Sequence, residues 1–140
     1  MQKAYFITIL LFIFWSCEDS NFKKVPVEQF YGVWKYQTNN IWNDVVIDIQ
    51  KTEDARIIGR VLELNHDKFI NLFLEVGDKN ISNIKRVSNT SFLLTQNMLA
   101  SELFALYDHP TKTDLRVEFQ SKNTLLLGKN GNFGKLVRVK

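Results

Sequence analysis

Short runs of alternating apolar and polar residues, separated by turn-forming clusters, recur along most of this chain of 140 residues. Val45, Ile47 and Ile49 share one side of such a run, and residues 114–119 alternate without a fault. Runs of this kind at intervals of about 8–12 residues are typical of antiparallel sandwiches and barrels. Because most links are short enough for hairpins, the sequence predicts an all-β, antiparallel up-and-down meander of about eight to ten strands.

Residues 69–76 belong to this pattern on the same criterion. One side of the run is apolar and the other is mostly polar, so a strand is predicted there. The apolar side is bulky, which favours a filled interior or a narrow pocket. Its members are Ile70, Leu72, Leu74 and Val76.

Residues 98–107 fit two elements. They combine strong helix formers with leucines at helical spacing, and Asn97 could cap a helix there. However, the strand predicted at residues 114–119 needs an antiparallel partner, and the segment just before it is the simplest choice. A strand is therefore predicted for residues 98–107, with a short helical turn near Asn97 as the alternative.

The first residues form a separate unit. Lys3 precedes an apolar stretch over residues 4–15, which is shorter than the ~20 residues that cross a bilayer but fits the core of a secretory signal. Ser16 and Cys17 follow directly. A small residue followed by cysteine at this point resembles the lipobox of bacterial lipoproteins, in which the cysteine is lipidated and becomes the new N-terminus. The alternative is an ordinary secreted protein cut nearby, with Cys17 as a free thiol.

The chain is therefore divided into a lipoprotein signal peptide at residues 1–16, a lipidated Cys17 with a polar tether at residues 17–29, and a β-domain at residues 30–140. Two or more acyl chains give stable membrane anchoring. Glu18 and Asp19 resemble the export signal of Gram-negative lipoproteins that reach the outer face of the outer membrane. That resemblance implies a cell-envelope, outer-membrane protein exposed at the surface, whereas the alternative is a solvated linker.

Gly32 and Trp34 begin the β-domain. With an aromatic residue on either side, this Gly-x-Trp resembles the opening of the lipocalin and fatty-acid-binding protein group. The resemblance implies a lipocalin-like barrel whose closed end is plugged by Trp34 and covered by a basic residue of the last strand, residues 133–139. Arg138 is the residue expected in that place. The alternative is that Trp34 is a core aromatic of another small β-domain.

Residues with catalytic chemistry are few. His66 and His109 lie in polar turns, and no nucleophile or metal-binding motif accompanies them. Cys17 is the only cysteine, so an internal disulfide or a cysteine-rich zinc site is excluded. The net charge of +3 comes from interspersed charges of both signs, and no basic stripe suggests nucleic acid. No catalytic residue, metal or cofactor is predicted.

Trp42 is expected at the open end of such a barrel, where it could contact a ligand, a partner or the membrane surface, or pack under the first loop. An eight-stranded barrel either is filled by side chains or holds one small ligand. The expected function is binding of a small apolar or amphipathic ligand by a membrane-anchored, non-catalytic protein. The alternatives are a filled barrel that acts as a protein–protein interaction or inhibitor module towards an envelope protein, and an enzyme with a site at the rim.

Overall fold

Eight antiparallel strands close into a barrel in the computed structural model, which describes residues 23–139. Each strand pairs with its neighbours in sequence, and the last pairs with the first, so the predicted up-and-down order is confirmed. The predicted signal peptide and Cys17 lie outside the described residues. The strands are β1 (Gly32–Gln37), β2 (Val46–Lys51), β3 (Ile57–Glu63), β4 (Lys79–Arg86), β5 (Ser91–Asn97), β6 (Lys112–Ser121), β7 (Thr124–Leu127) and β8 (Lys135–Arg138).

The barrel closes between β1 and β8. Trp34 is the register partner of Arg138, and Tyr36 is the partner of Leu136. β1 begins at Gly32, whose φ of +125° is a backbone conformation that residues with a Cβ rarely adopt. The predicted pairing of the first and last strands is therefore confirmed.

The core is built from the alternating positions of these strands. In and beside β2, Val45, Ile47 and Ile49 are fully buried, as their spacing predicted, whereas Asp48 between them is partly exposed. A short 3-10 helix, Val27–Phe30, brings Phe30 under the barrel. The other fully buried large side chains are Trp34, Val61, Ile70, Ile81, Phe92, Leu94, Val117, Leu125 and Leu136.

Residues 69–76 form no strand, so that prediction is wrong. A helix, α1 (Lys68–Phe73), begins where the Asp67 carboxylate accepts hydrogen bonds from two backbone N–H groups of the first turn, at 2.8 and 3.1 Å. Ile70 and Leu74, the residue that ends the helix, are both buried, and the backbone N–H of Leu74 donates to the oxygen of Ile70 at 2.9 Å. The other two apolar residues of the predicted strand face are exposed: Leu72 (70%) and Val76 (64%).

Residues 98–107 also contain a helix, α2 (Ser101–Leu106), in place of the favoured strand. The partner that β6 requires is β5, which ends at Asn97. Asn97 does not cap the helix, whose N-cap residue is Ala100. The side-chain amide of Asn97 instead donates a hydrogen bond to the backbone oxygen of Lys79 at 2.6 Å. None of the side chains of α2 is buried, although Leu99 just before it packs against the core.

The links between strands differ in length at the two ends of the barrel. The end that contains Trp34, here called the closed end, has the short links, residues 52–56, 87–90 and 122–123. The opposite end, here called the open end, has the longer links, and both α1 and α2 lie in them. The links at the open end are residues 38–45, 64–78, 98–111 and 128–134.

Candidate functional site

Trp34 fills the centre of the closed end. Its ring is fully buried, and its indole N–H donates to the backbone oxygen of Phe30 at 2.7 Å. The guanidinium carbon of Arg138 lies over the ring, 4.2 Å from its centroid. The same guanidinium donates to the backbone oxygens of Tyr31, at 2.7 Å, and Gln29. Arg138, on β8, therefore contacts both Trp34 and the first 3-10 helix.

Phenylalanine rings occupy the remaining space at this end. Phe30 packs edge-on against Phe92 and Phe119, with ring centroids 4.8 and 4.7 Å apart. Phe119 also contacts Trp34, with the centroids 6.1 Å apart. The strands bring these rings to one layer because β5 and β6 pair Phe92 with Val117, two residues from Phe119. The closed end is thus filled by protein side chains.

The open end contains a cavity of about 200 Å³, here called the mouth cavity. It lies inside the upper part of the barrel, because residues of β1, β5, β6 and β7 form its walls. Trp42, from the link after β1, packs against Tyr36 with the ring centroids 5.6 Å apart. The main lining residues are Tyr36, Trp42, Gln96, Thr113, Leu115 and Leu127.

A second cavity of about 440 Å³, here called the groove, is lined by residues of both helices. Trp42 contributes to its wall as well as to the mouth cavity. Strand ends supply polar groups, since β4 begins and β5 ends beside it. The principal lining residues are Leu74, Asn80, Asn97, Leu99 and Leu103.

Tyr36, Asn80 and Gln96 form a buried polar cluster in the walls of these cavities. The Tyr36 hydroxyl accepts hydrogen bonds from the side-chain amides of Asn80, at 2.9 Å, and Gln96, at 3.4 Å. Burial raises the pKa of the Tyr36 hydroxyl above its ordinary range, and the Asn80 hydrogen bond offsets this only in part. The hydroxyl is therefore neutral under physiological conditions, and the cluster offers hydrogen bonds without a net charge.

Large apolar side chains are exposed around the open end. In the part of the chain that the structure describes, most of the exposed large apolar residues belong to the open-end links. These residues are here called the apolar rim, and large exposed apolar patches commonly mark binding sites. Its members are Ile41, Phe69, Leu72, Phe73, Val76, Met98, Leu103, Leu106, Tyr107 and Phe133.

The residues singled out in the sequence are distributed over both ends. Gly32, Trp34 and Arg138 meet at the closed end, whereas Trp42 lies at the open end beside both cavities. Asn80 and Asn97, which also line the groove, were not recognised as site residues, because isolated asparagines at strand ends carry no pattern in sequence.

The histidines lie in open-end links. His66 lines a shallow depression beside Asn65 and Asp67, and His109 packs edge-on against Phe104 with the ring centroids 6.3 Å apart. Within residues 23–139, no group of three or more histidine, cysteine or acidic side chains is placed to hold a metal ion. The geometry of this part of the chain thus offers cavities and hydrogen-bonding groups.

The chain matches no protein-family model, and comparison with the curated proteins and with the solved structures gives no significant match. None of the helices in residues 23–139 is both long and apolar enough to cross a membrane.

Proposed function

We propose that this protein is a lipocalin-like lipoprotein of the bacterial envelope that binds a small apolar or amphipathic ligand at the open end of its barrel and performs no catalysis on it. The observation that carries the proposal is the pair of cavities that share the wall residue Trp42. Ligand sites are typically ~300–1,000 Å³ in volume and largely apolar, with a few polar groups that orient the ligand. The groove, at about 440 Å³, is within that range.

The polar cluster supports binding as well. Tyr36, Asn80 and Gln96 are nearly completely buried, yet they lie next to the cavities. A neutral hydroxyl and two amides can orient a bound molecule by hydrogen bonds, and they require no counter-charge from it. The proposed ligand is therefore held mainly by apolar contacts with Trp42, Leu99 and Leu115 and oriented by this cluster.

A cavity-filling substitution tests the proposal. Thr113 lines the mouth cavity, so Thr113→Phe should occupy the space of a ligand. Its neighbour Lys112 alternates to the outer side of β6, which makes Lys112→Phe a matched control. The probe is N-phenyl-1-naphthylamine, a neutral apolar fluorophore, titrated into the full-length chain held in an amphipathic polymer, with the polymer alone as blank.

The expected result is saturable binding that Thr113→Phe weakens by about tenfold, equivalent to about 1.4 kcal/mol, and that Lys112→Phe leaves unchanged. Absence of saturable binding to the unmodified chain contradicts the proposal. Equal binding by both variants contradicts the assignment of the site to the mouth cavity.

The proposed anchor has a structural consequence. Close to the start of the described chain, the backbone N–H of Val25 donates to the oxygen of Asn89, in a closed-end link, at 2.9 Å. The first described residues thus meet the barrel at its closed end, opposite the two cavities. Replacing Cys17 by Ser should release the protein into the soluble fraction, and unchanged membrane association of this variant contradicts lipidation at Cys17.

The alternative function, a protein–protein interaction or inhibitor module, is favoured by the apolar rim. Leu106, the last residue of α2, is 79% exposed, and Tyr107 directly after it is 70% exposed. If an envelope protein binds there, Leu106→Lys combined with Tyr107→Lys should prevent its co-purification, while N-phenyl-1-naphthylamine still binds, because neither residue lines a cavity described above. Loss of probe binding with no change in co-purified proteins favours the ligand-binding function instead.

A further inference from the structure

Two buried side-chain polar atoms in the described residues 23–139 have no hydrogen-bond partner, and both belong to residues that line the groove. They are the side-chain oxygens of Asn80 and Asn97. Buried polar atoms are almost always paired, because an unpaired one has lost its water without compensation. Two unpaired atoms of the same kind beside one cavity therefore suggest that the partner is something that enters the cavity.

The orientation of the Asn97 amide follows from its surroundings. Its nitrogen donates to the backbone oxygen of Lys79 at 2.6 Å, and a carbonyl oxygen can only accept. Rotating the amide by 180° would place two oxygens against each other, so the unpaired atom is the oxygen. At Asn80, which is 1% exposed, the nitrogen donates to the Tyr36 hydroxyl at 2.9 Å and the oxygen has no partner in this orientation. A hydroxyl can donate as well as accept, so the Asn97 oxygen carries the assignment of an acceptor and the Asn80 oxygen agrees with it.

The rest of the groove determines what kind of molecule carries the missing donors. Trp42, Leu74, Leu99 and Leu103 supply apolar walls. Two carboxylates, Asp78 and Glu102, also line the groove, against a single ammonium group, Lys79. This charge balance opposes an anionic head group, and the two amide oxygens oppose a head group that only accepts hydrogen bonds.

We propose that the groove binds an amphipathic molecule with an aliphatic chain and a polar head that donates hydrogen bonds, such as a hydroxyl group, to the side-chain oxygens of Asn80 and Asn97. This assignment rests on the proposed ligand-binding function and specifies its ligand class. The aliphatic chain packs between α1 and α2 against the leucines, and the head reaches the ends of β4 and β5. Fatty carboxylates and esters are excluded from tight binding by the same geometry.

Three probes with the same chain length separate the head groups. Decan-1-ol carries a donor, methyl decanoate is neutral but only accepts hydrogen bonds, and decanoate is an anion that only accepts. Each is titrated into the full-length chain, and binding is followed by tryptophan fluorescence, because Trp42 lines the groove. One additional hydrogen bond corresponds to about a tenfold preference, so decan-1-ol should reach half-saturation at about one tenth of the concentration that either of the others requires.

The matched variants are Asn80→Leu and Asn83→Leu. Both residues are on β4, but Asn83 is exposed and does not line the groove. Asn80→Leu should reduce the preference for decan-1-ol over methyl decanoate to less than about twofold, and Asn83→Leu should leave it unchanged. Asn80→Leu also removes a hydrogen bond to Tyr36, so the folding of this variant is checked by circular dichroism. If the variant does not fold, the comparison of the three probes on the unmodified chain tests the head-group assignment by itself.

The outcomes distinguish failure of the proposed function from failure of the head-group assignment. If neither N-phenyl-1-naphthylamine nor any of the three probes binds, the proposed function and this inference both fail. If the fluorophore binds but none of the three probes does, or if decan-1-ol and methyl decanoate bind equally well, this inference fails while ligand binding stands. A preference for decanoate, or a preference for decan-1-ol that survives in a folded Asn80→Leu, also overturns the assignment.

Discussion

The closed end and the open end of the barrel each contain a tryptophan, and the two side chains have different surroundings. Trp34 is fully buried, hydrogen-bonded through its indole N–H and covered by Arg138. Trp42 is partly exposed and borders two cavities. The same eight strands thus support a filled layer at one end and an incompletely filled layer at the other, which separates the residues that stabilise the fold from those available for binding.

Link length accounts for this difference. The closed-end links hold two to five residues, which is enough for hairpin turns but not for further elements. The open-end links are longer, and the helices α1 and α2 within them expose apolar side chains that the core does not cover. Long links positioned by a rigid scaffold are where binding residues are commonly found.

The largest expected effect belongs to the closed end. Trp34→Ala removes a buried ring, its hydrogen bond and the surface on which Arg138 lies. Such substitutions cost about 3–5 kcal/mol, a large part of the ~5–15 kcal/mol that stabilises a domain. Urea denaturation followed by circular dichroism should show a greatly lowered midpoint or an unfolded protein. A loss below about 1 kcal/mol would mean that the closed end does not carry the stability.

Arg138→Ala should do milder damage. It removes a cation–π contact worth about 0.5–2 kcal/mol and hydrogen bonds from a charged group to the backbone oxygens of Tyr31 and Gln29. We expect a loss of about 2–3 kcal/mol in the same denaturation experiment. The control is Arg116→Ala, which removes an exposed ion pair with Glu118 at 3.9 Å and a hydrogen bond to the Ser91 hydroxyl at 3.2 Å, and which should cost only about 1 kcal/mol. Equal effects of the two variants contradict the role of Arg138.

Tyr36 should make the folding stability of the protein sensitive to alkaline pH. Burial raises the pKa of its hydroxyl in the folded state, so above about pH 10 the unfolded state loses this proton and the folded state keeps it. The unfolded state then binds fewer protons, and stability falls as the pH rises, by about 1.4 kcal/mol per unit. The unfolding midpoint of Tyr36→Phe should decline less between pH 9 and 11 than that of the exposed control Tyr107→Phe.

The smallest effect on stability is expected at the apolar rim. Leu106 is 79% exposed, so Leu106→Lys removes little buried apolar surface. The free energy of unfolding should stay within about 0.5 kcal/mol of the unmodified chain, as is usual for surface substitutions. A loss comparable to that of Arg138→Ala would show that α2 is part of the stabilising core, and the contrast between the two ends would disappear.

The sequence predicts the closed end better than the open end, for a physical reason. The alternation of Ile47 and Ile49 and the glycine before Trp34 both follow from local backbone requirements, so the strands that contain them can be predicted from the sequence alone. In residues 69–76 two periodicities coincide, because Ile70 and Leu74 fit a strand face and also one helical turn. The Asp67 carboxylate favours the helix, because it accepts hydrogen bonds from two backbone N–H groups of the first turn.

The polar side of the groove is harder still to find in sequence. Asn80 and Asn97 come together through the register of β4 and β5, which place the start of one strand beside the end of the other. Neither residue is part of a local motif. Their unpaired oxygens are a property of the assembled site, so only the three-dimensional arrangement identifies them.

The most direct test of the difference between the two ends uses the tryptophans as reporters. The chain has three tryptophans, and their indole N–H signals in a ¹H–¹⁵N NMR spectrum can be assigned with single Trp→Phe variants. N-phenyl-1-naphthylamine is then titrated into the full-length chain. We predict that the Trp42 signal shifts and saturates with the probe, while the Trp34 signal, whose N–H is bonded to Phe30 in the closed end, keeps its position. A shift at Trp34 with none at Trp42 would contradict the account, because it would place the bound molecule in the end that side chains fill.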